Sequence, residues 1–263
     1  MAEPRLWQEM TSPEIAAARD RGDVVLIPVG AVEQHGPHLP VDTDIRLSID
    51  TSLEAARRRD FILVAPPVWW GLSGNHTAFA GYFTLRPSTF MSLLEDLCNS
   101  LIDQGFSKIV LVVGHASNKP PASIVVNEIM QTRGVKTVWL NNIGMGQAEF
   151  AKVRRSEQGG DWHAGELETA LVLRSRPDLV KLEGSPGRYV NAAEHFGLSA
   201  GPRDIYGAGD AVIGIDLPAA FPDGVAGVPE LATREVGDAV FEAIVNRMCS
   251  ILDEYHDLQV NYP

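Results

Sequence analysis

The chain has 263 residues, of which 45% are hydrophobic and 21% charged, a balance that excludes disordered and fibrous classes. A formal net charge of -12 and a pI near 5.0 give a surface that repels nucleic acid and anionic membranes, so neither is an expected partner. The two cysteines, Cys98 and Cys249, are too few and too far apart for a disulfide framework or a CxxC zinc motif, and fit buried thiols in a reducing cytoplasm. The first ten residues lack the pattern of a signal peptide, and the longest apolar runs are strand-length, too short to span a bilayer.

In chain order, Val24 to Gly30 is an apolar, β-rich run that reads as a strand buried on both faces. A helical pattern covers Ile45 to Arg58. Phe61 to Ala65, before Pro66-Pro67, is a second strand. Ser88 to Gln104 is a helix, with Ser88 placed as its N-cap after Pro87. Ile109 to Val113 is a third strand, Pro120 to Thr132 a helix closed by Gly134, and Val135 to Leu140 a fourth strand. Ala164 to Arg174 reads as a helix stopped by Pro177, and Pro229 to Tyr255 as a last long one. Gly184 to Gly227, rich in Gly, Pro and Ala and without a period, is expected to wrap over one face as loops or a lid. Buried strands alternating with helices imply βαβ units: a three-layer α/β/α fold with a mainly parallel sheet. No repeat or linker divides the chain, so one domain over 1–263 is expected.

Three segments carry ligand-type residues. The first, Gly30 to Asp44, follows the first strand and holds Glu33, His35, His38, Asp42 and Asp44 among Gly and Pro. A single His or Asp in a loop is ordinarily a solvated turn residue. Five together, in a loop ordered by Gly and Pro at the carboxyl edge of a parallel sheet, point to a metal site. Residues two apart in an extended segment point the same way, so Glu33 pairs with His35 and Asp42 with Asp44. The second segment is Gly114-His115-Ala116-Ser117-Asn118, which brings His115 out at the same edge. The third is Asp161 to Thr169. If its helix begins near His163, that residue and Glu166 share a face at i, i+3, whereas Glu166 and Glu168 do not. After the second strand, Trp69, Trp70, Ser73 and His76 read either as a pocket wall for a small polar substrate or as caps on the core, and Trp162 is a similar candidate.

The strings GAVEQHGPHLPVDTD, GHASN, HAGELET and GVAGVPELATREVG, spread over most of the chain, resemble the creatininase (creatinine amidohydrolase) family. That resemblance implies a binuclear site for two divalent ions, zinc or manganese and sometimes iron. By motif, Glu33, His35, Asp44 and His115 match ligands, with Asp44 the bridging carboxylate. His163 matches a catalytic histidine, Glu168 a carboxylate of the same motif, and His76 a histidine of its loop. A homo-oligomer, favoured as a hexamer, is implied as well. One position departs: creatininase has a glutamate where this chain has Ser117, a poor ligand. Glu166, absent from creatininase, is therefore expected to supply the missing carboxylate, and creatinine is disfavoured as substrate.

With these parts, two divalent ions would activate water for attack on a carbonyl, and His163, its tautomer set by Glu168 or Asp161, would protonate the leaving group. Three readings follow: a hydrolase of C–N bonds in small cyclic or non-peptide amides, a hydrolase of C–C bonds in a cyclic diketone from polyol breakdown, and a non-catalytic metal-binding protein. A closed structural site needs no proton donor, which counts against the third. A peptidase is a minor fourth.

Overall fold

In the computed structural model, residues 3–183, 185, 187–197, 204 and 214–258 are described. Short β1 (Arg5–Leu6) is followed by α1 (Ser12–Asp20), β2 (Val24–Val29), α2 (Thr43–Arg58), β3 (Ile62–Val64), α3 (Pro87–Asp103), β4 (Ile109–Val113), α4 (Lys119–Arg133) and β5 (Val138–Asn141). These strands form one parallel sheet in the order β1-β3-β2-β4-β5. Then come α5 (Gln147–Val153), β6 (Asp161–His163), α6 (Glu166–Ser175), the short helices α7 (Ala192–Phe196) and α8 (Leu217–Ala220), β7 (Ala226–Gly227) and α9 (Arg234–Asp257), with β6 and β7 paired antiparallel.

The strand period of two sorts the core into the two outer layers. Val24 and Leu26 of β2, with Val110 and Val112 of β4, face α2, α6 and α9 through Leu47, Leu167, Ala170, Val240 and Ile244. Val25, Ile27 and Val29, with Ile109, Leu111 and Val113, face α1, α3 and α4 through Ala18, Phe90, Leu94, Cys98, Val125 and Ile129. Each such aliphatic side chain contributes roughly 1.5–3 kcal/mol by leaving water, which explains why both central strands read as unbroken apolar runs. Pro28 is tolerated in central β2 because the even-numbered residues of β2 bond toward β3. The missing N–H falls at the break between β3 and the Val29–Val68 bridge, and the Pro28 carbonyl still accepts Val68 N–H at 2.8 Å.

Several elements differ from the sequence reading. The helix placed at Ser88 starts at Pro87 with Arg86 as its cap residue, because the fixed φ of proline suits the first helical position better than a serine cap does. The last helix begins at Arg234, where the Thr233 side chain accepts from Val236 N–H, and residues 229–231 form a separate short turn. The strand read from Val135 starts at Val138. β1, α1 and the β6–β7 pair were not legible as elements. His163 ends β6, and α6 begins only at Glu166, so the two residues are not on one helix face. Much of the segment read as loops or a lid, including 198–203 and 205–213, lies outside the described residues. No described helix is long and apolar enough to cross a membrane.

Two glycines bring the outer layer to the strand ends. A Cβ on Gly30 would collide with the backbone of Ile45, and one on Gly114 would come within 2.5 Å of the Asp44 carbonyl oxygen. Without side chains there, the first turn of α2 lies directly on the ends of β2 and β4. Gly114→Ala is expected to cost about 1–3 kcal/mol in urea denaturation through overpacking. Gly74→Ala, whose Cβ meets nothing within 4 Å, should shift stability by less than about 0.5 kcal/mol.

Candidate metal centre

That close approach puts Asp44, in the first turn of α2, between the loops that follow β2 and β4. The β2 loop folds back on itself: Val32 pairs with Phe83, Glu33 N–H donates to Val41 O at 3.0 Å, and His35 pairs with Leu39 around Gly36. Glu33 and His35 therefore both point inward. His115 leaves β4 toward the same place. Glu33, His35 and Asp44 are at most 2% exposed.

His35 Nε2 lies 3.4 Å from Asp44 Oδ1 and 3.9 Å from Glu168 Oε2. His115 Nδ1 lies 2.8 Å from Asp44 Oδ2, and its Nε2 3.4 Å from Glu33 Oε2. The outer nitrogen of each ring donates to a backbone carbonyl, His35 Nδ1 to Glu33 O at 3.2 Å and His115 Nε2 to Leu72 O at 3.0 Å. That arrangement turns His35 Nε2 and His115 Nδ1 into the carboxylates, the nitrogens that would hold a cation once it displaces their protons. Two sets of three donors can each surround one ion: His35, Asp44 and Glu168, and Glu33, Asp44 and His115; a third set joins Glu33, His35 and His163. Glu33 Oε2, His35 Nε2 and Asp44 Oδ2 are buried with no aligned hydrogen bond. Orphaned donors and acceptors of this kind are costly to bury unless something else binds them. The residues present therefore fit divalent cations.

Burial penalises every charge here, and the neighbours decide the outcome. Burial raises Glu33 to about 7, although His115 opposes it. Burial alone would lower His35 and His115, but Asp44 beside the first and Glu33 and Asp44 beside the second raise them to about 10 and about 9. Asp44 is held well below the usual carboxylate range by His35 and His115 despite its burial. His163 is pushed well below the usual histidine range by burial and by His35 and His76, and His76 is pushed to about 3 by burial and by His35 and His115. Both of the latter are neutral.

A cavity of ≈ 240 Å³ opens over this cluster, walled by Asn75, His76, Ala116, Ser117, Trp162, Ile215 and Leu217. Of the residues singled out in the sequence, Glu33, His35, Asp44, His115, His163, Glu168, His76 and Trp162 lie at the cluster or on its cavity. Ser73 is fully buried and close enough to Glu33 to favour its charged form, but it does not line the cavity. Trp69 and Trp70 are away from it, and Trp70 is exposed.

Glu166 is a correction. Its carboxylate accepts Arg155 N–H and Ser156 N–H, each at 2.7 Å, and is absent from every donor set. With α6 starting at Glu166, the helix turns Glu168 toward the cluster and Glu166 away from it. His38 and Asp42 also turn away: His38 sits between the hydroxyls of Ser185 and Thr169, each at 3.0 Å, and Asp42 pairs with Arg46. Nor do Glu168 or Asp161 orient His163. Glu168 Oε2 accepts Ala164 N–H at 2.6 Å and Asp161 Oδ1 accepts Leu167 N–H at 2.8 Å. His163 Nε2 instead meets Gln34 O at 2.9 Å. The reading missed Gln34, although it stands between two ligand-type residues.

Against known families, the profile of creatininase, described as creatinine amidohydrolase, matches residues 8–252. The chain belongs to the creatininase family. Among curated members, a mycofactocin precursor peptide peptidase from Mycolicibacterium smegmatis is 32% identical over 85% of this chain and 81% of its own length. A 3-dehydro-scyllo-inosose hydrolase from Thermotoga maritima is 25% identical over 98% and 84%. A solved creatininase superposes with a TM-score of 0.79 at 24% identity, over 98% of this chain and 100% of that one, which establishes a shared fold. As a member of the family the chain is a hydrolase.

Two outcomes follow. Glu166→Gln should keep its metal content, read by atomic emission, while losing about 1–3 kcal/mol of stability, because its oxygen can accept only one of the two backbone N–H groups and its NH2 would face the other. The second concerns pH. In the metal-free protein, Glu33 holds its proton from 4.5 up to about 7, and His35 and His115 hold theirs from 6.5 up to 9–10, so stability falls as pH rises through these ranges. A bound cation displaces those protons, so its stabilisation must grow with pH. The gain in melting temperature on adding Zn2+ or Mn2+ should widen from pH 6 to pH 8.5.

Proposed function

We propose that this protein hydrolyses an amide C–N bond in a small substrate, using two divalent ions per chain, zinc or manganese, with iron a further candidate. The observation that carries the reading is the convergence of three carboxylates and two imidazoles, buried and partly orphaned, on the floor of a cavity that a neutral histidine also lines. Glu33, Asp44 and His115 would hold one ion and His35, Asp44 and Glu168 the other, with the two oxygens of Asp44 turned to different histidines. Ions so held supply Lewis acidity, polarising a carbonyl and bringing water toward ionisation at neutral pH.

The chain's own residues do the rest. His163 accepts the proton that water gives up and returns it to the departing nitrogen, so that OH ends on carbon and H on nitrogen. His76 donates Nε2–H toward Glu33 Oε1, 3.2 Å away, and so steadies that carboxylate. Trp162, Ile215 and Leu217 form an apolar wall that keeps bulk water out and suits an apolar flank on the substrate. Ser117 leaves its part of the wall uncharged, which argues against creatinine. The similarity to a peptidase supports a C–N bond and admits the end of a peptide as a substrate. A second reading, hydrolysis of a C–C bond in a cyclic diketone, is favoured by the similarity to the inosose hydrolase. A homo-oligomer, a hexamer on the family resemblance, belongs to the proposal, and exposed Trp70 and Phe83 suit a contact between copies.

Lactams, short peptides and cyclic diketones, assayed with metal-stripped and Zn2+- or Mn2+-reloaded protein, separate the two chemistries. Amine or ammonia release that needs metal is the expected result, and turnover of diketones alone would replace it with the second reading. His163→Ala should lower kcat by about 10²–10⁴-fold with both ions retained.

A further inference from the structure

Gln34 is 93% buried, between two residues of the cluster, and both its polar ends are committed. Side-chain Oε1 accepts Gly36 N–H at 2.8 Å, which fixes the amide's orientation, since an NH2 there would face another donor. Nε2 then lies 2.9 Å from His76 Nδ1. An amide nitrogen only donates, so His76 Nδ1 is the bare nitrogen and its proton sits on Nε2, toward Glu33. At the backbone, Gln34 O lies 2.9 Å from His163 Nε2. A carbonyl only accepts, so that nitrogen carries the proton and Nδ1 is bare. Gln34 Nε2 is also 3.2 Å from His163 Nε2, a donor approach that opposes a proton there, and the shorter 2.9 Å carbonyl contact decides the position because Gln34 Nε2 is already committed to His76 Nδ1. Gly224 closes the carboxamide in, because a Cβ there would come within 2.5 Å of Gln34 Cδ.

We propose that Gln34 is a positioning residue that fixes which nitrogen carries the proton in His76 through its side chain and in His163 through its backbone carbonyl. The His76 proton is thereby aimed at Glu33. His163 enters the reaction as a base at Nδ1, taking a proton from water before giving one to the leaving nitrogen. The consequence for turnover rests on the hydrolase reading; the proton positions do not.

The test is long-range 1H–15N spectroscopy of histidines in the full-length, zinc-loaded protein, with Gln34→Glu and Gln34→Met alongside. In the wild type, both His76 and His163 should show Nε2–H with bare Nδ1. In Gln34→Glu, a carboxylate facing His76 should move its proton to Nδ1. In Gln34→Met, His76 should lose its single tautomer, while His163 keeps Nε2–H in both variants. Turnover should fall about 10–100-fold in kcat, with KM and metal content little changed. A wild-type His76 with Nδ1–H, or a His76 tautomer unmoved by both substitutions, overturns the proposal without any variant needing to be active. The expected tautomers in a protein that hydrolyses no amide would uphold Gln34's role and refute the amidase reading instead.

Discussion

Burying three carboxylates at one point is the constraint on which the rest of the structure depends. Each charge removed from water costs several kcal/mol unless it is compensated, and among the described residues His35 and His115 stand against Glu33, Asp44 and Glu168, with His76 beside Glu33 as well. The sheet meets that cost by geometry. β2 and β4 are neighbours, so the loops leaving their carboxyl ends share one place, and the glycines that end them let α2 deliver Asp44 between those loops. Glu168 arrives from the opposite side through the β6–α6 turn. There Ala164 takes a left-handed backbone, φ 53°, and donates its N–H to the Glu168 carboxylate. A non-glycine residue in that region costs of order 1–3 kcal/mol. The strain lies between His163 and Glu168, and it lets a strand and a helix present both side chains to one cluster.

The layers were legible in the sequence because β2 and β4 are buried on both faces and so carry unbroken apolar runs. β1 and the β6–β7 pair have two or three residues each, too few for any period to show. The grouping of Glu33, His35, Asp44 and His115 was legible because three of them share one fifteen-residue segment after a buried strand and the fourth follows another. The assignment of Glu166 failed on a boundary. A helix begun at His163 would put residue 166 on its face, whereas the helix starts three residues later, and Glu166 and Glu168, two residues and more than half a turn apart, face opposite ways, 168 inward. Trp69 and Trp70 failed differently. They follow β3, yet the cavity wall is supplied from the other end of the chain by Ile215 and Leu217, and side-chain chemistry alone does not disclose that long-range return.

The unequal dressing of the two donor sets bears on what the site accepts. The resemblance to creatininase departs at Ser117 and at Glu166, and the Glu166 carboxylate is committed to the amides of Arg155 and Ser156 rather than to the cluster. The set formed by Glu33, Asp44 and His115 therefore has three protein donors and a neutral wall beside it, where a fourth would make it saturated and more negative. Fewer donors leave coordination positions for substrate oxygen or water. A less negative wall weakens attraction for a cationic ring and favours a neutral carbonyl. Under the proposed reading, the position that departs from the family pattern is where substrate charge would be selected, while the five buried donors beneath it are held by strand ends and helix starts.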